Sequence, residues 1–332
     1  MATRWGICSA GLIANDFCSA VSTLPRSEHE VVAVAARRKE SAEKFAQKFG
    51  IPAVYGSYEE LAKDSSVEIV YVGTIHPQHY AACMMFLEHG KHVLCEKPMT
   101  MSVKQCKEVI AKAREKKLFF MEAFWTRFFP CVSAIQEELG SGSLGKINFL
   151  RCCFCVPVGG VDRLTKKELG GGGLLDVGCY LVQYANLVFR KKPEKIIAVG
   201  DLNTDGVDIG GTLLLHYKDG GMAILYYHTD SAMGSNSLTI HGSKGNLEVP
   251  APMHSPTQLT LPSGVVKTFP LPDTQQTFNF INSIGLVYEA QCVRDCLKQG
   301  LMECPKMTYE DSISIMEVME EALCQMGVQY NH

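Results

Sequence analysis

Two short stretches carry side chains whose types and spacing could do chemistry. The first is residues 91–98, KHVLCEKP. Val93, Leu94 and Cys95 form an apolar run that suits a strand buried on both faces. The run stops at Glu96, Lys97 and Pro98. Proline cannot donate to a sheet ladder, and it pushes the residue before it toward an extended backbone. An ammonium, that of Lys97, is therefore expected at the carboxyl end of a buried strand. That edge of an open α/β sheet is where ligands bind. A solvated lysine on a surface loop is the competing reading. The second stretch is residues 170–180, GGGGLLDVGCY. Its four glycines permit torsions other residues avoid, and close approach to a ligand. Asp176 and Tyr180 are four apart, so on a helix they share one face. A carboxylate and a phenol would then point together into a cleft. A packed aromatic with a locally bonded hydroxyl is the competing reading for Tyr180.

The elements that must position these groups follow a regular order. Residues 4–9 (RWGICS) read as a first strand, followed by Ser9-Ala10-Gly11-Leu12-Ile13-Ala14. A dinucleotide fingerprint reads GxGxxG/A here. Gly11 and Ala14 fit it, and Ser9 stands where the first glycine belongs. Gly11 would let the backbone approach a pyrophosphate, and a helix opening near Leu12 would aim its N–H groups at it. A plain tight turn is the alternative. Residues 30–36 (EVVAVAA) read as a second buried strand. An NAD-type site would end it with an acid for the ribose hydroxyls. Arg37, Arg38 and Lys39 follow instead, and such a cluster suits a 2′-phosphate, pointing to NADP(H). An ordinary solvated helix start is the alternative.

Strands and helices go on alternating to residue 122, the pattern of a parallel, doubly wound sheet. From residue 146 the chain is rich in strands separated by Gly, Asp and Asn turns, such as Lys218-Asp219-Gly220-Gly221. The expected class is thus α/β. An N-terminal Rossmann-like domain over residues 1–123 precedes a C-terminal α+β domain over 124–332 with a large, mostly antiparallel open sheet. Composition agrees with two ordinary domains: 332 residues, 46% hydrophobic and 20% charged. The net charge of −3, with no basic block, argues against a nucleic-acid partner. No signal-peptide pattern and no apolar run of membrane-spanning length is present, so no membrane partner is expected. Fourteen scattered cysteines read as reduced thiols of a cytoplasmic protein. Cys152, Cys153 and Cys155 alternate across a strand and read as packing, and no metal is expected.

The degenerate glycine turn, Thr74-Ile75-His76-Pro77, His79, Glu96-Lys97-Pro98 and the run from Gly171 to Tyr180 together resemble the glucose-fructose oxidoreductase / inositol dehydrogenase (Gfo/Idh/MocA) family. The stretches LPRSEH, YGSYEELAKD, HPQH and WTRFFP narrow the resemblance to a dimeric vertebrate subgroup, over nearly the whole chain. The resemblance implies an NADP-dependent dehydrogenase. It would oxidise trans-1,2-dihydrobenzene-1,2-diol to catechol and D-xylose to D-xylonolactone. Most family members end the glycine-rich motif with histidine; Tyr180 departs from that, as the subgroup does, and becomes the proton carrier. A free phenol, with a pKa of about 10, is a poor base near neutrality. A neighbouring ammonium stabilises phenolate. Tyr180 is thus expected as general base with Lys97 assisting, and Asp176 orienting Lys97 or binding substrate. Implied cofactor contacts are Ser9, Gly11, Leu12, Ile13, Arg37, Arg38, Thr74, His76, His79, Glu96 and Lys97. Implied substrate contacts are Trp125, Arg127, Phe154, Asp176 and Tyr180, with hinge packing equally open for the aromatics near residue 125. Substrate-specific contacts are expected in residues 250–256. Family members pair through the C-terminal sheet, which implies a homodimer. Another sugar or carbonyl oxidoreductase of the family, or an NADP(H)-binding sensor without turnover, remain alternatives. A sensor would not need the Lys97 and Tyr180 pair.

Overall fold

A computed structural model describes residues 1–232 and 236–330 and divides into two compact units. The first comprises Met1–Thr100, Lys104–Phe128 and Leu271–Tyr309. Its sheet has six strands: β1 (Thr3–Cys8), β2 (His29–Ala35), β3 (Ala53–Tyr55), β4 (Ile69–Val72), β5 (His92–Glu96) and β6 (Phe120–Ala123). All pairings are parallel, in the order β3-β2-β1-β4-β5-β6. Helices α1 (Leu12–Val21), α2 (Lys39–Phe49), α3 (Tyr58–Lys63), α4 (His76–Glu88) and α5 (Val103–Lys116) form the crossovers. β4 is buried along its whole length, as a strand covered on both faces requires. The strand order reverses between β1 and β4, the switch point at whose carboxyl side open α/β sheets take their ligands.

The second unit comprises Met101–Val103, Phe129–Pro270 and Glu310–His332. It contains α6 (Pro130–Ser141), β7 (Ile147–Cys155), α7 (Asp162–Thr165), α8 (Cys179–Phe189) and strands β8 (Lys195–Leu202), β9 (Asp208–His216), β10 (Met222–His228), β11 (Leu238–Gly242), β12 (Asn246–Val249), β13 (Gln258–Thr260) and β14 (Val266–Thr268). The order is β14-β13-β12-β11-β7-β10-β9-β8, and every pairing but β7 with β10 is antiparallel. β13 and β14 escape sequence reading because three residues each give too little alternation to register. One face of the sheet buries Leu150, Cys152, Leu213, Leu215, Ala223 and Leu225. The opposite face keeps an apolar row of Ile197, Leu214 and Ile224 in register across three strands, with Val199, Thr212 and Tyr226 beside it. Val199 is 70% and Ile197 42% exposed there.

Two later helices complete the units: α9 (Leu286–Lys298) in the first and α10 (Tyr309–Met326), which lies almost wholly in the second. The return of Leu271–Tyr309 to the parallel sheet is fastened by polar groups. Asp16 on α1 is fully buried and accepts the backbone N–H groups of Asn279 and Phe280 and the Asn279 side-chain amide. Arg294 on α9 donates to Met1 O and Thr3 Oγ1, and the His29 ring meets Gln291 at 3.2 Å. Among the described residues, no helix is long and apolar enough to cross a membrane.

Candidate active site

In the first unit, the glycine turn between β1 and α1 has the shape of a phosphate cradle. Ser9, at the place of the first glycine, holds φ +94°, a torsion that favours glycine. Its N–H donates to Ala35 O at 2.9 Å, which ties the turn to β2. Gly11 precedes α1 and no side chain caps the helix. A Cβ at Gly11 would meet nothing nearer than Ser9 Oγ at 3.6 Å and Gly73 O at 3.8 Å. The fold itself therefore does not demand glycine there; the space in front of the helix is left for an incoming group. Leu12 is 62% exposed at this end, where the first N–H groups of a helix have no partner within the helix. Arg37 and Arg38 are exposed just past β2, where the second strand was expected to present basic residues.

The β5 terminus is tightly held. Glu96 is buried, accepts a 2.5 Å hydrogen bond from the fully buried Tyr71, and accepts the Lys97 N–H at 3.3 Å. The Lys97–Pro98 peptide is cis. The His79 ring places Nδ1 2.8 Å from Pro98 O and Nε2 3.0 Å from Thr74 O, strapping the end of β5 to the end of β4. Glu122 accepts the Met99 N–H at 2.9 Å and fixes the chain beyond the proline. So Thr74, His76, His79, Glu96 and Lys97 gather around one edge of the sheet. His79 bridges the Thr74 and Pro98 carbonyls, and Glu96 takes the Tyr71 hydroxyl and the Lys97 N–H, which fixes the backbone at Lys97. Helix α4 opens at His76, two residues earlier than its periodicity predicts, because Pro77 is well suited to a first turn. Tyr71 and Glu122 were missed in sequence; an acid near the end of a buried strand was the available signal. Trp125 and Arg127 are buried in a 3-10 turn over Trp125–Phe128, and the Arg127 guanidinium donates to Lys306 O at 3.2 Å.

In the second unit, the glycine run packs closely against the protein's own chain. A Cβ at Gly171 would stand 2.6 Å from Leu164 O, at Gly172 2.6 Å from Asp208 Oδ1, and at Gly173 2.8 Å from the Tyr227 ring. Gly172 also has φ +124°. These glycines thus allow close approach of the protein's own chain. Asp208, almost fully buried, accepts Leu174 N–H at 2.6 Å and Tyr227 O–H at 2.7 Å. Burial pushes its carboxyl upward from the usual range despite those donors. This anchor starts a π-helical turn over Leu174–Gly178 that runs into α8. Such turns recur at functional sites.

Asp176 lies in that turn and is paired with Arg163, Nη1 to Oδ1 2.9 Å. Sequence reading left this partner out, since Arg163 sits on a separate helix, α7. Tyr180 is 7% exposed in the first turn of α8. Its ring stands edge-on to Phe154, centroids 5.7 Å apart, and to His254 at 5.8 Å. Phe154 and His254 stack at 4.6 Å. Phe154 and Tyr180 are therefore brought together as expected, with His254 as a third ring from the loop over residues 250–256. Tyr184, one turn further along α8, holds that loop by donating to Met253 O at 2.7 Å.

Comparison with known proteins decides the family. Residues 3–124 match the model of the oxidoreductase family with an NAD-binding Rossmann fold, and residues 132–248 match the GFO/IDH/MocA C-terminal domain. The chain belongs to the GFO/IDH/MocA family. Its relatives include trans-1,2-dihydrobenzene-1,2-diol dehydrogenases from Xenopus tropicalis, 47% identical, and Homo sapiens, 45% identical. Each match spans 99% of this chain and 98% or more of the relative. Among solved structures, a 3-ketoreductase from Actinomadura kijaniata, KijD10, in complex with NADP and TDP-benzene superposes with a TM-score of 0.83. It is 26% identical, with 98% of each chain covered. A levoglucosan dehydrogenase superposes with a TM-score of 0.86 at 16% identity, a likeness of fold. As a GFO/IDH/MocA protein this chain is an oxidoreductase with a nicotinamide cofactor, and the open cradle at Gly11 fits one. The sequence expectation of a parallel Rossmann-like sheet followed by a mostly antiparallel open sheet holds.

Proposed function

We propose that the protein is a cytoplasmic, NADP-dependent dehydrogenase that oxidises trans-1,2-dihydrobenzene-1,2-diol to catechol and, as a second reaction, D-xylose to D-xylonolactone. The identity of 45–48% with dihydrodiol dehydrogenases over essentially the full length carries this reading. The bound cofactor supplies the hydride acceptor. Gly11, Leu12 and Ile13 hold the pyrophosphate, with Ser9 shaping the turn; Arg37 and Arg38 hold the 2′-phosphate. Tyr180 takes the proton of the substrate hydroxyl as the hydride leaves, and Lys97 stabilises the phenolate that results. His79 and Glu96 keep Lys97 in place. Phe154 and Tyr180 supply aromatic surface for a planar ring, and Trp125, Arg127 and Asp176 complete the substrate side. The decisive experiment follows NADP+ reduction against a panel of trans-dihydrodiols and aldoses. Turnover of the dihydrodiol is the expected result. NADPH binding without turnover of any compound would favour a sensor instead.

The cofactor preference rests on the guanidiniums past β2. Arg37→Ala should raise the KM for NADP+ at least tenfold and leave that for NAD+ within a factor of two, since a charge-assisted contact to phosphate is lost in one case only. Equal effects on both would remove the 2′-phosphate role.

The chain further pairs as a homodimer through the open face of the antiparallel sheet. An apolar row of this kind, left half exposed across several strands, marks an association surface. Ile224→Glu placed in the middle of that row should convert the dimer to monomer in sedimentation. A wild-type chain that sediments as monomer at the same concentration would sink the proposal.

A further inference from the structure

Three thiols that the proposed chemistry does not use converge within the return segment of the first unit. Cys292 and Cys296 are one helical turn apart on α9, so they share a face. The chain then turns at Gly300, φ +67°, and brings Cys304 back against them. The three sulfurs all lie within 4.8 Å of one another, and Cys292 Sγ and Cys304 Sγ are 3.5 Å apart. Tetrahedral thiolates around zinc, at Zn–S of about 2.3 Å, stand about 3.8 Å apart. The trio is thus already near ligand spacing. Cys304 is fully buried and Cys296 is 3% exposed, which keeps water from competing.

We propose that Cys292, Cys296 and Cys304 form a binding site for a soft divalent metal ion of the zinc type.

One further feature lies beside the thiols. Glu289, three residues before Cys292 on the same helix, is fully buried, and neither carboxyl oxygen has a hydrogen-bond partner. Burial raises its proton affinity strongly, and the charges of Glu96 and Cys304 raise it further. A buried acid with no partner is costly.

The spacing C-x3-C-x7-C has no strict zinc-finger form, which is why it does not stand out in the sequence. The test uses the full-length reduced chain, stripped of metal and titrated with Zn2+ against a chromophoric chelator. One equivalent bound per chain is expected. Cys304→Ser should weaken binding at least tenfold, while Cys324→Ser, at an exposed cysteine of the other unit, should leave it unchanged. Absence of stoichiometric binding, or equal binding by Cys304→Ser, overturns the site. Should that variant fail to fold, alkylation of the wild-type chain decides. Zn2+ should protect Cys292, Cys296 and Cys304 selectively, and labelling that ignores Zn2+ overturns the proposal.

Discussion

Tyr180→Phe is expected to lower kcat for dihydrodiol oxidation about a thousandfold, within the 10²–10⁴ contributed by general base catalysis. That factor corresponds to about 4 kcal/mol of transition-state stabilisation. The substitution removes one oxygen from a ring packed edge-on against Phe154 and His254, and it keeps the ring. NADPH binding, read by fluorescence, should be unchanged. The fold should be unchanged too, because the aromatic contacts remain. Normal turnover by Tyr180→Phe would remove the phenol from the mechanism. Loss of NADPH binding would assign it to the cofactor instead.

Lys97→Met carries the second large effect, and its signature is a pH profile. With phenolate as the proposed working base, kcat is expected to rise as pH passes through the pKa of the phenol. A free phenol titrates at about 10. A nearby ammonium favours phenolate and moves the rise downward, by about 1–3 units for an opposite charge in contact. Without the ammonium, the rise should move to higher pH by that amount. At pH 7 the variant should lose about 10–1,000-fold in kcat, and part should return at alkaline pH. A profile displaced downward, or not displaced, would mean that Lys97 does not assist Tyr180. His79 and Glu96 are the positioning residues for this effect, since they fix the Lys97–Pro98 turn from both sides.

Much of the first unit was legible because local sequence and global fold agree. Each parallel strand is a short apolar run closed by a breaker, and each helix shows its own period. Lys97 could be placed at a strand end from Pro98 alone. Arg37 and Arg38 could be read from the missing acid after β2. The glycine run shows where such reading stops. Four glycines signal close approach, but the sequence does not say to what. The answer, Asp208 and Tyr227, arrives from strands more than thirty residues later. His254 was reachable only as a member of a loop worth watching. Arg163 as the partner of Asp176, and the π-turn that holds Asp176, carry no periodic signal.

By itself the sequence determined the parallel sheet followed by a mostly antiparallel one, the strand that delivers Lys97, the helix that delivers Tyr180 and the family to which the chain belongs. These depend on local hydrophobic period, on proline and on glycine, which act within a few residues. Only the tertiary structure decided that Leu271–Tyr309 returns to the parallel sheet, that the glycines pack on their own fold, and that three cysteines meet beside a buried glutamate. Those outcomes rest on partners distant in sequence: Asp16 with Asn279, Gly172 with Asp208, Cys292 with Cys304. A buried polar group must find a partner somewhere in the fold, and which one it finds is fixed by packing rather than by spacing along the chain.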